Sequence, residues 1–553
     1  MLGLIAFSSV VFSMTFAPKT EVYIRLVCEH ARPEYFERYD DHALNMMIGT
    51  SSTDPELPIP AYPTEPKDRA RITVPRPSSR CTSDPEVGRL VAGLNATLQV
   101  VMGVLSILTT AYWAILSDRV GRTTVLAIGA LGNLVADFIF ILTTLRASRL
   151  PGGYKLFILG SVFQGLTGAV PTMMATSQSY VADCADPSAR ARMFSLFYAV
   201  WFTGMAIGPT LGGLLVTATD DMLSVFYVAT FAHGIVTLAL WFVIPESLSP
   251  EARAANHASR EASERVVSGK TWQDTASRIF RTLFGFLLPL AVLLPRKREP
   301  GEPGYAQGKR DWNLTLIATA GACLSMLIAL VPYKFQYAEA QFGWNSEQLG
   351  YFLTGMGVFR SLHLAVVLPL IIRFFAPRNE DLRDTVNETD PLLDGESRPT
   401  TTSTNQRDAS ITPSHHERIR LRHTHRTADF DLIIARASVM VDITAYIFIV
   451  LSQNGPQFFA ASMLSSFGGG FNPSAHSISL YLMPRGDMDS GKLFGALGVL
   501  NALSTQVTGP TIAGAIYMST VKVFPKAIFI GALVGLFSAL AAISLVRLPR
   551  HIV

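Results

Sequence analysis

Seven ionisable side chains interrupt apolar stretches of this sequence: Asp137, His233, Arg360, His363, Arg436, Asp442 and His476. In such surroundings a histidine or carboxyl group can take up and release a proton near neutral pH, and an arginine can hold an anion. Arg360 and His363 are three residues apart and share one helix face. Counted from the ends of their apolar runs, Arg360 and Asp442 reach similar depth. Either Asp442 neutralises Arg360 permanently, or an anionic solute group or a proton-dependent exchange takes over that role. No Ser/His/Asp, HExxH, Walker or CxxC pattern accompanies these residues, so the sequence gives no support to an enzyme, a bound metal or a cofactor.

The elements that must position these groups are apolar runs of membrane-crossing length. They fall near 2–20, 90–113, 123–144, 154–180, 193–217, 224–244, 314–333, 348–372, 431–451, 457–481, 493–518 and 524–546. Charged residues are 16% of the 553 and mean hydropathy is +0.31, too little charge to cover a water-exposed surface. The expected fold class is therefore an all-α membrane protein of twelve transmembrane helices embedded in a lipid bilayer. The net charge of +4 gives no support to nucleic-acid binding. The shorter run 283–294, broken by Pro289 and followed by Arg296-Lys297-Arg298, is expected to be an interfacial helix or a linker segment packed on the bundle.

Basic residues concentrate in 245–311, in 373–430 and in the turns holding Arg119/Arg122, Arg190/Arg192 and Arg485/Lys492, which marks that side as cytosolic. The turn with Arg146, Arg149 and Lys155 runs against this assignment. Segment 21–88 is then exoplasmic, and a Cys28–Cys81 disulfide or two free thiols are both compatible with it. Because Met1 stands almost inside the first run, the expectation is either that the first helix runs on through Glu21-Val22-Tyr23-Ile24 or that a cytoplasmic tail precedes Met1. The cytosolic insert 379–428, polar and almost free of aromatic residues, is expected to be disordered. Within it Glu388, Leu392 and Leu393 match the acidic dileucine pattern that cytosolic sorting adaptors read, which leaves the plasma membrane or a vacuolar or lysosome-like membrane as the location.

The chain repeats itself. Gly168-Ala-Val-Pro171 recurs as Gly470-Phe-Asn-Pro473 and Gly208-Pro209-Thr210 as Gly509-Pro510-Thr511, at offsets of 302 and 301 by subtraction. This implies two six-helix halves, 1–244 and 314–546, joined by a cytosolic linker 245–313, and a transporter whose halves rock about a central site.

Between the second and third runs stands Ala114-Ile-Leu-Ser-Asp118-Arg119-Val-Gly121-Arg122-Thr-Thr. It resembles the cytosolic loop signature of the major facilitator superfamily, with Ala114 for the first glycine and Thr123 for the last basic residue. Gly204-x-x-x-Gly208-Pro209-x-x-Gly212-Gly213 resembles the antiporter motif of that superfamily, and Pro245-Glu246-Ser247-Leu248 closes the sixth run in a similar way. More narrowly, Ser179-Tyr-Val-Ala-Asp183 and Phe342-Gly-Trp344-Asn-Ser-Glu-Gln-Leu-Gly350-Tyr-Phe make the layout similar to the branch joining tetracycline exporters, proton-coupled folate transporters and fungal relatives.

The resemblance implies alternating-access transport of a small-molecule substrate, coupled to an ion such as the proton; a non-transporting membrane sensor of the same fold is the alternative. Asp118, Arg119, Gly121 and Arg122 become a cytosolic gate, with the arginines facing helix C-termini or Asp183 and Asp118 facing the start of the eleventh helix. Helices one, four, seven and ten are implied to line the cavity, with two, five, eight and eleven beside them. On that plan Arg360, His363, Asp442, His476, Gln164 and Asn472 are substrate or coupling candidates. Gly204, Gly208, Pro209, Gly212 and Gly213 pack helices. Ser161 stands where the superfamily's drug antiporters usually carry an arginine. Gly468-Gly469-Gly470 with Pro473 marks the tenth helix as bent or unwound.

Overall fold

The structure is a computed structural model that describes residues 1–35, 74–147, 149–184, 190–248, 290–297, 310–375, 415–482 and 490–548. Among the described residues, ten helices are long and apolar enough to cross a membrane. Nine of them come first in chain order: α1 (Leu2–Ala31), α2 (Pro85–Val120), α3 (Arg122–Arg146), α4 (Gly153–Val181), α5 (Arg190–Thr219), α6 (Ser224–Phe242), α7 (Asn313–Phe342), α8 (Ser346–Phe375) and α9 (His415–Leu451). Two broken helices follow, α10 (Gly455–Ser465 and Phe471–Tyr481) and α11 (Ser490–Leu503 and Gly509–Thr520). The tenth long apolar helix, α12 (Ala527–Leu545), closes the order. A two-residue ribbon pairs β1 (Arg296–Lys297) with β2 (Arg310–Asp311), a small addition to the all-helical expectation.

Proline sets the geometry of α1, α4, α7 and α10. Its ring displaces the carbonyl four residues earlier and its nitrogen cannot donate, so a helix breaks in the turn before it. Pro18 breaks α1 at Thr15, and Pro171 breaks α4 at Thr167-Gly168, where Gly168 adopts φ +86°. Ahead of Pro332 α7 tightens into a 3-10 turn at Met326–Leu330, and ahead of Pro473 α10 does so at Ser466–Gly470. The tenth helix is thus bent, as its glycines imply, but tightened rather than unwound. In α8 and α11 a widened π turn precedes the proline instead, at His363–Val367 and Ser504–Thr508.

Several boundaries differ from the sequence expectation. α1 continues to Ala31 and α2 begins at Pro85, so segment 21–88 is helical at its start and end. Cys28 on α1 is disulfide-bonded to Cys81, on the one-turn helix Ser79–Ser83, with a Cα–Cα distance of 5.7 Å. Beside this staple Asp84 caps α2, accepting from the amides of Glu86 and Val87 and from Arg32 Nε at 2.9 Å and Tyr35 Oη at 3.0 Å. Burial works to raise the Asp84 carboxyl, but those donors together hold it below the usual carboxylate range. Likewise α7 runs past 333 to Phe342. The insert 379–428 is helical from His415 on, as part of α9, while Glu388, Leu392 and Leu393 lie outside the described residues. Of the run 283–294, Leu293 is described as buried among Ala318, Leu493 and Ala496.

Small residues bring the helices together, since apolar burial does not favour helix association in a lipid solvent and packing contacts must. A Cβ on Gly204, Gly208 or Gly212 would collide with Ser9 Oγ, Ser13 Oγ or the Met14 carbonyl of α1. Ser13 Oγ also donates to the Gly204 carbonyl at 3.1 Å. On another face of α5, Gly213 abuts the backbone of Ser346 and Glu347 at the start of α8, and Gly350 abuts the Pro209 carbonyl. The antiporter-like stripe therefore does two jobs: Gly204, Gly208 and Gly212 hold α5 on α1, while Pro209 and Gly213 hold α5 on α8. α2 meets α11 the same way, with Gly103 against Gln506 and Gly514 against Ala96.

These contacts generate a clear contrast. Gly212→Val places branched carbons on the Met14 carbonyl and is expected to cost about 1–3 kcal/mol by overpacking. Gly234→Ala, where a Cβ meets nothing within 4 Å, is expected to be neutral or slightly stabilising. Thermal unfolding of the detergent-solubilised variants measures both; equal midpoints would contradict the close approach of α1 and α5.

Candidate functional site

Most of the functional candidates fall in two clusters: a turn at one end of the bundle and a group of charged side chains midway along α7, α8 and α9. At the turn, Gly121 links α2 to α3 with φ +127°, a conformation that side chains resist. Lacking a side chain, it cannot cap α3. The cap comes from Glu246, beyond the end of α6, whose carboxylate accepts from the amides of Arg122 (2.8 Å) and Thr123 (3.0 Å) and from the Thr123 hydroxyl (2.7 Å). A Cβ on Gly121 would strike that carboxylate. Arg122 then bridges two acids, with Nη1 2.6 Å from Asp118 and Nε 3.2 Å from Asp183. Ser247 donates to the same Asp183 oxygen at 3.1 Å. Asp118, expected to face the start of α11, is bound instead to Arg122, because one turn of α2 and the Gly121 bend bring the two side chains together. Arg119 lies exposed on the same turn.

Midway along the helices, α8 and α9 pack against the glycine triplet of α10, and Lys334 of α7 comes within electrostatic reach of Asp442. A Cβ on Gly468 would collide with the Asp442 carboxylate; one on Gly469 would touch His363 Cδ2 at 3.6 Å and Arg360 Nε at 3.7 Å; one on Gly470 would lie 2.7 Å from Ser438 Oγ. Glycine is what lets α10 lie against those side chains. Asp442 is 8% exposed and has two cations within electrostatic reach, Arg360 from α8 and Lys334 from α7. Lys334 is buried, with Nζ 4.8 Å from the centre of the Tyr446 ring. Arg360 is exposed. An exposed guanidinium inside a membrane span belongs in a wet cavity. His363 is buried edge-on to Phe467, and neither ring nitrogen has a hydrogen-bond partner among the described residues.

The N-terminal half repeats this pattern with a different ending. Lys19 of α1 lies 6.0 Å from the Phe140 ring centre and within electrostatic reach of Asp137 on α3, as Lys334 does with Tyr446 and Asp442. Here, however, Asp137 is engaged by His233 Nδ1 of α6 at 2.6 Å. That half also holds an open groove lined by Phe12, Asn133, Met173, Ser177 and Trp201. Gln164 donates to Asn133 at 3.3 Å, so its amide supports the groove wall. Asn472 and His476 are exposed one turn apart on α10. Arg436 is spent on structure, donating to the carbonyls of Ile543, Ser544 and Val546 at the end of α12.

Sequence reasoning missed Lys19, Lys334 and Glu339, and treated Glu21 only as helix continuation. Their signal was present: Pro18-Lys19 and Pro332-Tyr-Lys334 stand at matching places in the two halves, but apolar runs cut at the first charge exclude them. Among the described residues no three His, Cys, Asp or Glu side chains group as a metal site.

The Glu246 cap makes a pH-dependent prediction. Burial works to raise this carboxyl, yet its hydrogen bonds from Thr123, Arg122 and Leu248 hold it below 4.5. A lowered folded-state value means that its contribution is full above about pH 4.5 and is lost as pH falls through the folded value. Glu246→Ala is expected to cost about 0.5–2 kcal/mol near neutral pH, the size of a lost N-cap. The gap between the unfolding midpoints of the variant and the parent should close on acidification to about pH 3. A gap that stays constant with pH would contradict the cap.

The Major Facilitator Superfamily profile matches residues 77–379. The chain is 24% identical over 464 residues to the MFS-type transporter avaJ of Aspergillus versicolor, covering 83% of this chain and 78% of that protein. It is 28% identical over 277 residues to the class C tetracycline resistance protein of Escherichia coli, covering 48% of this chain and 64% of that one. Among solved structures it is similar to the human organic anion transporter MFSD10, with a TM-score of 0.52 at 15% identity and 98% of each chain covered.

Proposed function

Because the chain belongs to the major facilitator superfamily, a multi-pass family of membrane transporters, we propose that it is a twelve-helix secondary transporter of small organic anions, working by alternating access between two six-helix halves and coupled to protons. α10 and α11 supply the two spans beyond the ten long apolar helices. The observation that carries the reading is where the halves touch. The contacts described between them run from mid-depth to the disulfide end: Thr210 to Thr354 at 2.7 Å, Thr217 to Glu347 at 2.8 Å, an ion pair of Glu86 with Lys522, and the Ser346 amide donating to Glu21. Placed in the membrane by its basic loops, with the Gly121 turn in the cytosol, the molecule is a cytosol-facing state closed on the exoplasmic side.

Lys334 and Arg360 beside the single acid Asp442 leave a positive excess in the pocket, which favours an anionic group on the substrate. Arg122, held between Asp118 and Asp183, is the cytosolic latch. In the opposite state the same turn is positioned to meet the C-terminal half.

Purified protein in vesicles loaded with a panel of labelled organic anions tests this reading. Saturable flux that depends on pH is expected, and absence of flux for every solute would favour the sensor alternative. Arg360→Ala is expected to abolish flux, while the double replacement Arg360→Ala with Asp442→Ala recovers folded yield without recovering flux. Full flux in the double variant would remove Arg360 from the site. Arg122→Ala is expected to lower turnover about tenfold or more, equivalent to roughly 1.4 kcal/mol, with expression little changed. Wild-type turnover would dismiss the latch.

For location, adaptor recognition of Glu388, Leu392 and Leu393 favours delivery to a vacuolar or lysosome-like membrane. Leu392→Ala with Leu393→Ala should then move a fluorescent fusion to the cell surface, and an unchanged distribution would leave the motif unused.

A further inference from the structure

Where α7 meets α1 near the disulfide end, Glu339 is 1% exposed and neither of its carboxyl oxygens has a hydrogen-bond partner among the described residues. One turn earlier, Gln336 is 3% exposed with both amide atoms unpartnered. Glu21, across the boundary between the halves, is 3% exposed and within electrostatic reach of Glu339. Among the described residues, the other charged groups in this region are directed elsewhere. From the start of α8, the Ser346 amide is directed to Glu21; from the segment before α2, Arg76 reaches Glu21. On the one-turn helix Arg80 is exposed, and on α2 Glu86 is bound by Arg89 and Lys522 while Asn95 presents an unpartnered amide nitrogen. Tyr517 of α11 faces Glu339 and carries no positive charge. Lys334, on Glu339's own helix, is directed to Tyr446 and Asp442.

A carboxylate with no donor and no paired cation among the described residues, and with a second acid beside it, is too costly to bury ionised, whereas its neutral form fits there. Glu21 accepts from the Ser346 amide and has Arg76 within electrostatic reach, although its Oε2 has no partner among the described residues; Glu339 has neither kind of support, so of the two acids it is the one to carry the proton. We propose that Glu339 is a proton-holding gate residue: it carries a proton while the disulfide end is closed and releases it to water when the halves part there. This deepens the transporter reading and rests on it, by naming one group through which a proton is exchanged. It also gives closure a cause, because the halves can meet around Glu21 and Glu339 only when one of the two acids is neutral.

Two measurements test it. In protein with Cys184→Ser and Cys323→Ser, spin labels at Asp220→Cys and Val523→Cys, both exposed and on opposite halves, report separation at the disulfide end. The open-to-closed ratio should rise with pH by up to about tenfold per unit, the limit for one released proton. Glu339→Gln, which mimics the neutral acid, should stay closed and flat across the same range, and Glu339→Asp should keep the pH dependence. The same slope in Glu339→Gln, or a wild-type ratio set by sodium at fixed pH, would overturn the proposal. Independently of any motion, the infrared carbonyl band of a protonated carboxyl group should be present in wild-type protein near neutral pH and absent in Glu339→Gln. If the labels never separate at any pH, the two-state reading fails, and this band alone decides whether Glu339 holds a proton.

Discussion

A charge placed inside hydrocarbon has no water to answer it, so every ionised side chain in this bundle must find its answer in another part of the chain. That requirement arranges the helices as much as apolar packing does. Arg436 ties α9 to the end of α12, His233 ties α6 to Asp137 on α3, and Glu246 ties the end of α6 to the start of α3. Each link joins elements distant in sequence. The first braces the C-terminal half, and the other two brace the N-terminal half, whose helices α1 and α5 are also locked by glycine.

The two halves answer the same requirement unequally. Lys19, Asp137 and Phe140 match Lys334, Asp442 and Tyr446 in type and helix position, as expected of a duplicated unit. In the first half the histidine completes the arrangement, and the acid has a fixed partner at 2.6 Å. In the second half no histidine of α12 takes that place, and Asp442 is left between Lys334 and an exposed arginine. The asymmetry leaves the incompletely matched charges in the C-terminal half, which is what supports the proposed solute site there.

Much of this was legible in the residues. The tight turn at Gly121 with Asp118 and Arg122 on it, and the breaking of α10 at its glycines, follow from spacing, because periodicity and punctuation by Gly and Pro are local properties. The prolines at 18, 171, 332 and 473 could have been read as four equivalent breaks, but only Pro473 was, and Pro171 served only as its counterpart in the repeat. What spacing could not give was the role of Glu246, since nothing local to Pro245-Glu246-Ser247 says that its carboxylate caps a helix begun at residue 122. The charges on α1 and α7 were lost for a different reason. A hydropathy window ends a span at the first lysine, while the helix itself continues wherever the neighbours can satisfy that lysine.

The staple between Cys28 and Cys81 changes what the chain between them costs. A crosslink that persists in the unfolded protein closes the same ring in both states, so the closure entropy of that ring cancels from the folding balance. Asp84, Arg32 and Tyr35 fix the root of the ring on the helix ends, independently of how much chain hangs beyond it. Lengthening the ring therefore falls on neither α1 nor α2. For an engineer this is the place to graft an epitope or a purification handle, and for a lineage it is the place where length can drift while the membrane-embedded machine stays the same.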